Sequence, residues 1–182
     1  MEVTNIMLNI DNCVLVAIDF QEKLVGMLQK DDAAVKMNKL LTAAHILNIP
    51  AIITEQYPQG LGKTIAGFNL EGVTVLEKTA FSAMQSEDFR NALEQTGKKQ
   101  VIIGGIETHI CVHQTVSELI AAGYEVYVVK DACASRNIYE FKQGIEAMKQ
   151  NGAKITCLEI VLFELLRTSK HPNFKPVQAL IK

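Results

Sequence analysis

The stretch GGIETHICVHQT, Gly104 to Thr115, sets Cys111 midway between His109 and His113, with Glu107 just upstream. Residues of these types serve either as metal ligands or as a nucleophile with its supporting acids and bases. Spacing separates the two uses. A helix beginning near Thr108 or His109 puts the histidines four residues apart on one face and turns Cys111, two positions from each, toward roughly the opposite side. The three cannot share one ion. The zinc-protease pattern, with Glu after the first His, is absent because Ile110 follows His109, and a two-histidine site would need a third ligand from elsewhere. On spacing alone, His109 and His113 read as ordinary helix histidines.

Cys111 falls in the first turn of that helix, where amides lack intrahelical partners and the helix dipole is positive, so its thiol pKa is expected to fall. It is the leading nucleophile candidate, with a small buried cysteine as the alternative. Gly104 and Gly105 permit a tight turn and close approach of backbone to a ligand. A thiol nucleophile needs a base and a group to orient it. Histidine is the usual base, yet His45 falls mid-helix, His171 lies in the tail and His109 points away. The other polar groups at the carboxyl ends of strand-like runs are Asp19, Gln21, Glu55, Lys78 and Asp131, along the edge where open α/β sheets bind ligands. Asp19 ends an apolar run, so burial would raise its pKa toward neutrality, and an ammonium such as Lys78 would hold both anions. Spacing leaves open a turn or N-cap role for Asp19 and a solvated strand end for Lys78.

The elements that must position these groups follow from apolar patterning. Short runs rich in Val and Ile at 13–19, 49–55, 73–78, 100–106, 124–131 and 153–159 read as buried strands. Helical spacing fills 33–48, 86–97, 109–123 and 137–152, with Gly97, Gly123 and Gly152 as C-caps. Alternating strands and helices imply a parallel sheet covered on both faces. The 182 residues, 48% hydrophobic and 21% charged, fit one compact domain over 1–182, with an irregular extension from about 168 to 182 that holds two of the four prolines. The segment QYPQGLGKTIAGFNLEG, 56–72, has four glycines and one proline and reads as a long loop. Its GLGKT resembles the end of a phosphate-binding loop, but Tyr57 stands where that motif needs its first glycine.

A formal net charge of -2, with no basic run, argues against nucleic acid as a partner. Glu2 sits where a positive leader would be, and no apolar run approaches the roughly 20 residues that span a bilayer. The expectation is a cytoplasmic protein with no membrane contact. Its four cysteines form no CxxC pair and read as mostly plain core residues.

Asp19 after VLVAI, Lys78 in LEKTAFSAM and Cys111 in GGIETHICV, in that order and spacing, resemble the aspartate–lysine–cysteine triad of the isochorismatase-like cysteine hydrolase family, over about Val14 to Leu166. The strings TEQYPQGLGKT and GIETHICVHQTVSELIAAGYEVYVVKDACASR are similar to the subgroup of isochorismatase domain-containing proteins. The resemblance implies a three-layer α/β/α, Rossmann-like fold with a six-stranded parallel sheet, and convergence of Asp19, Lys78 and Cys111 at its carboxyl edge. It implies that Asp19 takes the thiol proton, that Lys78 pairs with Asp19, and that the thiolate attacks a small amide-type substrate to give a thioester. The oxyanion would be held by the backbone N–H groups of Glu107 and Cys111, with a cis Ile106–Glu107 peptide presenting the first. Gln21, Tyr57 and Ile106 would line the substrate pocket, in a homo-oligomer. Nicotinamidases of the family carry Asp-x-His after the second strand. TEQYP stands there in this chain, so neither a metal nor another cofactor is expected, nor nicotinamide as substrate. True isochorismatases lack the cysteine, so Cys111 favours amide or related acyl chemistry over vinyl-ether cleavage. The alternative is a catalytically weak member that acts as a binding or scaffold protein.

Overall fold

The computed structural model describes residues 7–28 and 32–182; Glu2, used above to read the N-terminus, lies outside them. The apolar runs form six parallel strands: β1 (Cys13–Ile18), β2 (Ala51–Gln56), β3 (Thr74–Lys78), β4 (Gln100–Ile106), β5 (Glu125–Ala134) and β6 (Lys154–Thr156), in the order β3-β2-β1-β4-β5-β6. β1 and β4 are buried along their whole length, so both faces must be covered. Alternation along each strand divides the apolar side chains between two cores. Leu15, Ala17, Ile53 and Ile102 pack against α2 (Ala33–Ile46) and α7 (Leu158–Leu166). Val14, Val16, Val101 and Ile103 pack against α4 (Glu87–Gln95), α5 (His113–Ala121) and α6 (Ile138–Gln150). This is the three-layer α/β/α architecture expected from the patterning. Two further short helices, α1 (Glu22–Gly26) and α3 (Pro58–Leu61), lie at the carboxyl edge.

Two expectations are corrected. The run at 153–159 is not one strand: β6 ends at Thr156 and Leu158 opens α7, whose LEIVLFELL sequence is buried at Leu158, Val161, Leu162, Leu165 and Leu166. Periodicity cannot separate a short buried strand from the start of a helix that is apolar nearly all round. The tail is not irregular either. Residues Phe174–Ala179 form α8, with Val177 fully buried in the core beside α2 and α7. Pro176 is tolerated because it sits in the first turn, where its missing N–H would have no helical partner.

The glycine pair before the site has a structural cause. A Cβ on Gly104 would lie 2.6 Å from the Ala132 carbonyl oxygen, and one on Gly105 would lie 2.5 Å from both the Cβ and the carbonyl oxygen of Ile18. The close approach is therefore between strands, where the β4–β5 register shifts between Ile103 and Gly105.

Candidate active site

The strand order reverses direction between β1 and β4, and that switch point is where an open α/β sheet leaves a crevice at its carboxyl edge. Asp19 leaves the end of β1 and Cys111 follows β4, so the two flank it. Asp19 is fully buried, with φ of 55°, a left-handed conformation uncommon outside glycine. Its Oδ2 lies 2.8 Å from Lys78 Nζ, and its Oδ1 accepts from the Thr54 hydroxyl at 2.7 Å. Lys78 arrives from β3, two strands away, and its ammonium also donates to Gln56 Oε1 at 2.6 Å and to the carbonyls of Phe81 and Ala80 at 3.0 and 3.2 Å. The ion pair has side chains 0% and 1% exposed, so every remaining donor and acceptor position needs a protein partner.

Thr54 and Gln56 went unnoticed in the sequence. They occupy positions i and i+2 at the carboxyl end of β2, share one face, and stand in register with Ile18 and Lys78. That period-two polar pair was the available signal.

Cys111 sits in a π-helical turn, Thr108–Val112, and regular α-helix begins only at His113. Val112 N donates to the Glu107 carbonyl at 3.3 Å, closing the wider turn. The Cys111 residue is 6% exposed, and its thiol lies within the influence of the Asp19 carboxylate. The expected fall in thiol pKa is overturned. Burial first, then the negative charge of Asp19, push the Cys111 thiol up to about 12, against the opposing pull of Lys78. Helix-end amides do not outweigh the loss of water around a buried thiolate. Burial also raises the Asp19 pKa, while Lys78, Thr54 and Cys111 act to lower it. The thiol is thus protonated at rest.

Cys13, fully buried in β1, is likewise pushed up to about 12 by burial. An unfolded thiol ionises near 9.0, so between pH 9 and 12 the folded chain holds protons that the unfolded chain has released, and stability must fall as pH rises. Each such thiol accounts for about 1 kcal/mol of the loss by pH 10. Urea unfolding under reducing conditions at pH 8 and pH 10 should therefore show a smaller loss in Cys13→Ala than in the parent; an equal loss would refute the shift.

The turn is tied to the lysine loop. Thr115 donates to the Cys111 carbonyl at 2.7 Å and accepts from Ala83 N at 3.0 Å, while Ser82 donates to Glu118 at 2.8 Å. The peptide bond between Ile106 and Glu107 is cis. The Glu107 carboxylate turns away to Arg136, whose N and Nε both donate to its Oε1 at 3.0 Å.

Other sequence candidates fall outside this cluster. Gln21 is fully buried and clamps the 56–62 segment: its Nε2 donates to the carbonyls of Gln56 and Gly62, and its Oε1 accepts from Gln56 N. It holds a loop at the carboxyl edge. Ile106 is fully buried in the core that packs against α2 and α7. Glu55, on the opposite face of β2 from Thr54, accepts from Thr64 N and Oγ1 and pairs with Lys63 at 3.1 Å. The GLGKT lysine and threonine are thus spent on carboxylates of their own chain. Asp131 accepts from Leu158 N at 2.9 Å and starts α7. Tyr57, 54% exposed, lines a cleft of about 520 Å³ beside Lys78, together with Pro58, Thr79, Gln85 and Ser86. His109 Nδ1 lies 3.0 Å from the Ser135 hydroxyl. Among the described residues, no three His, Cys, Asp or Glu side chains gather closely enough to hold a metal ion, and no helix is long and apolar enough to cross a membrane.

Comparison with known proteins agrees with this fold. The isochorismatase domain matches residues 13–160. Isochorismatase domain-containing protein 2 of Danio rerio is 39% identical over 170 residues, covering 92% of this chain and 86% of that protein. The secreted isochorismatase effector Isc1 of Phytophthora sojae is 37% identical over 176 residues, 93% of this chain and 84% of its own length. The solved MAR1 ribonuclease from Caenorhabditis elegans superposes with a TM-score of 0.89 at 37% identity, over 96% of this chain and 92% of that one. With its six-stranded parallel sheet, and with the domain match running from the start of β1 into α7, the chain belongs to the isochorismatase domain family and has that family's hydrolase fold.

Proposed function

We propose that this protein is a cysteine-dependent hydrolase of small amide-type substrates. One observation carries the reading: a thiol and a carboxylate, both buried, meet at the crevice of the sheet, and the carboxylate is held by an equally buried ammonium. A core has no structural need for three ionisable side chains at one point, and apolar side chains there would serve stability as well or better. The chemistry follows from the contacts. Asp19 takes the thiol proton as sulfur bonds to the carbonyl carbon, and the oxyanion that forms is held by the N–H groups of Glu107 and Cys111. Collapse breaks the C–N bond, and the leaving amine departs with the proton from Asp19. Water then attacks the thioester, giving a proton to Asp19 that returns to sulfur as the acid leaves. Lys78 favours the charged form of Asp19 and holds it in place, and the cycle as written uses no metal or other cofactor. Because the thiol is not ionised at rest, proton transfer and attack are coupled.

The test is trapping of the acyl-enzyme. Acid quench after mixing with p-nitrophenyl acetate should give one acetyl group on the peptide that bears Cys111, removable by hydroxylamine, and a panel of small primary amides should include one that turns over. Acetylation elsewhere, with no amide hydrolysed, would overturn the reading and leave a binding role, in which the 56–72 loop is presented to a partner. The name of the C. elegans relative makes RNA a second substrate to assay; the net charge of -2 and the closed ion pair at the site both weigh against it. The cytoplasm is the proposed location, with no disulfide among the described residues, although one relative is by name a secreted effector. A homo-oligomer is the proposed assembly, supported by the exposed apolar side chains of Tyr57, Phe81, Ile138 and Tyr139.

A further inference from the structure

The Glu107 carboxylate has no part in the chemistry above, yet it is nearly buried: its side chain is 7% exposed. Both of its described hydrogen bonds come from one residue, Arg136, through the backbone N and through Nε, each at 3.0 Å. Arg136 stands two residues past the end of β5, on the far side of β4 from Asp19. Its neighbour Ser135 meets His109 Nδ1 at 3.0 Å, so consecutive residues of this corner hold positions 107 and 109 of the cysteine turn. Behind the turn, α6 leaves no slack. A Cβ on Gly144 would lie 2.9 Å from His109 Cα, 3.0 Å from His109 N and 3.0 Å from the Thr108 carbonyl carbon. The turn is thus fixed from behind by backbone contact and from the side by the 135–136 corner.

We propose that Arg136 is a positioning residue for acyl transfer: by gripping the Glu107 carboxylate it fixes the orientation of the Glu107 backbone N–H toward the oxyanion. The inference rests on the cysteine-hydrolase reading above. An oxyanion donor works only when it is already aimed at the place where charge develops, and its loss costs roughly 10²–10³ in rate. Loosening a donor that remains present costs less. The ion pair itself is worth little to stability, because the Arg136 side chain is 57% exposed. Rate and stability should therefore separate.

Two reactions at the same sulfur provide the test. Alkylation by iodoacetamide displaces iodide at a saturated carbon and builds no oxyanion, whereas acylation by p-nitrophenyl acetate passes through one. Arg136→Ala should slow acylation about tenfold and Glu107→Ala, which loses both hydrogen bonds, about 50-fold, while alkylation of both stays within about twofold of the parent. Glu107→Gln keeps an oxygen that accepts the same two N–H groups and should recover most of the rate lost in Glu107→Ala. Tm of Arg136→Ala should stay within about 3 °C of the parent. Acylation at the parental rate in Arg136→Ala, or a parallel loss of acylation and alkylation, would overturn the positioning role and leave the hydrolase reading standing. A parent chain that is alkylated at Cys111 but never acylated would overturn the hydrolase reading, and the positioning role with it.

Discussion

Cys111→Ala will lose at least about 10⁴-fold in acyl transfer and all alkylation at position 111, with the fold unchanged. No other thiol can substitute: Cys13 and Cys133 are buried within strands, and Cys157 caps α7 beyond β6. Cys111→Ser is the sharper variant. A hydroxyl keeps nearly the same size and can still donate a hydrogen bond, but its far higher pKa puts it beyond a carboxylate base with no histidine between them. Its activity should fall by about 10³-fold or more, which separates nucleophilicity from shape. Stability should change by only about 1 kcal/mol in either variant, since the loss is one small buried atom and Asp19 keeps Lys78 and Thr54. Far-UV circular dichroism and urea midpoints, measured beside the p-nitrophenyl acetate assay, decide the matter. Acylation surviving in Cys111→Ala would end the mechanism.

How much of this was legible in the sequence depends on the range of the interaction. The strands and the paired faces of the sheet come from local period, and the types and strand-end positions of Asp19, Lys78 and Cys111 pointed to one edge. Their convergence depends on strand order, which brings β3, β2, β1 and β4 side by side although 92 residues separate Asp19 from Cys111 in the chain (111 − 19 = 92). Spacing cannot encode that; the family resemblance supplied it. The π-helical turn was illegible, because it exists through packing on Gly144 and the 135–136 corner and through no local propensity. The burial of Gln21 and Ile106 was illegible for a related reason. A residue next to an edge is as often part of what holds the edge as part of what faces the ligand. Helix position alone lowers a thiol pKa, whereas the burial that raises that of Cys111 is a tertiary fact with no local signal.

Removing the charge partner should do more damage to the fold than removing the nucleophile. Lys78→Met leaves the Asp19 carboxylate fully buried with only the Thr54 hydroxyl and the Cys111 thiol to answer it, and leaves the Gln56, Ala80 and Phe81 oxygens without their donor. Breaking a buried pair in this way costs about 3–5 kcal/mol. The pH dependence identifies the cause. Without Lys78 the Asp19 pKa rises further above its ordinary value, so the folded chain holds a proton that the unfolded chain gives up near pH 4. Stability conferred by that proton is complete below pH 4 and drains away as pH rises through the folded pKa, so Lys78→Met should be more stable at pH 5 than at pH 7. Asp19→Asn in the same chain replaces the stranded charge with a neutral amide. The double variant should recover stability at pH 7, lose the acid-side gain, and remain inactive in acylation because it has no base. Urea unfolding of the two variants at pH 5 and pH 7 would refute the buried-charge account if Lys78→Met were equally stable at both, or if the double variant were no more stable at pH 7 than the single. Recovery of fold without recovery of activity would show that the Asp19–Lys78 pair is kept at the crevice for its chemistry, at a cost in stability that an apolar pair would not incur.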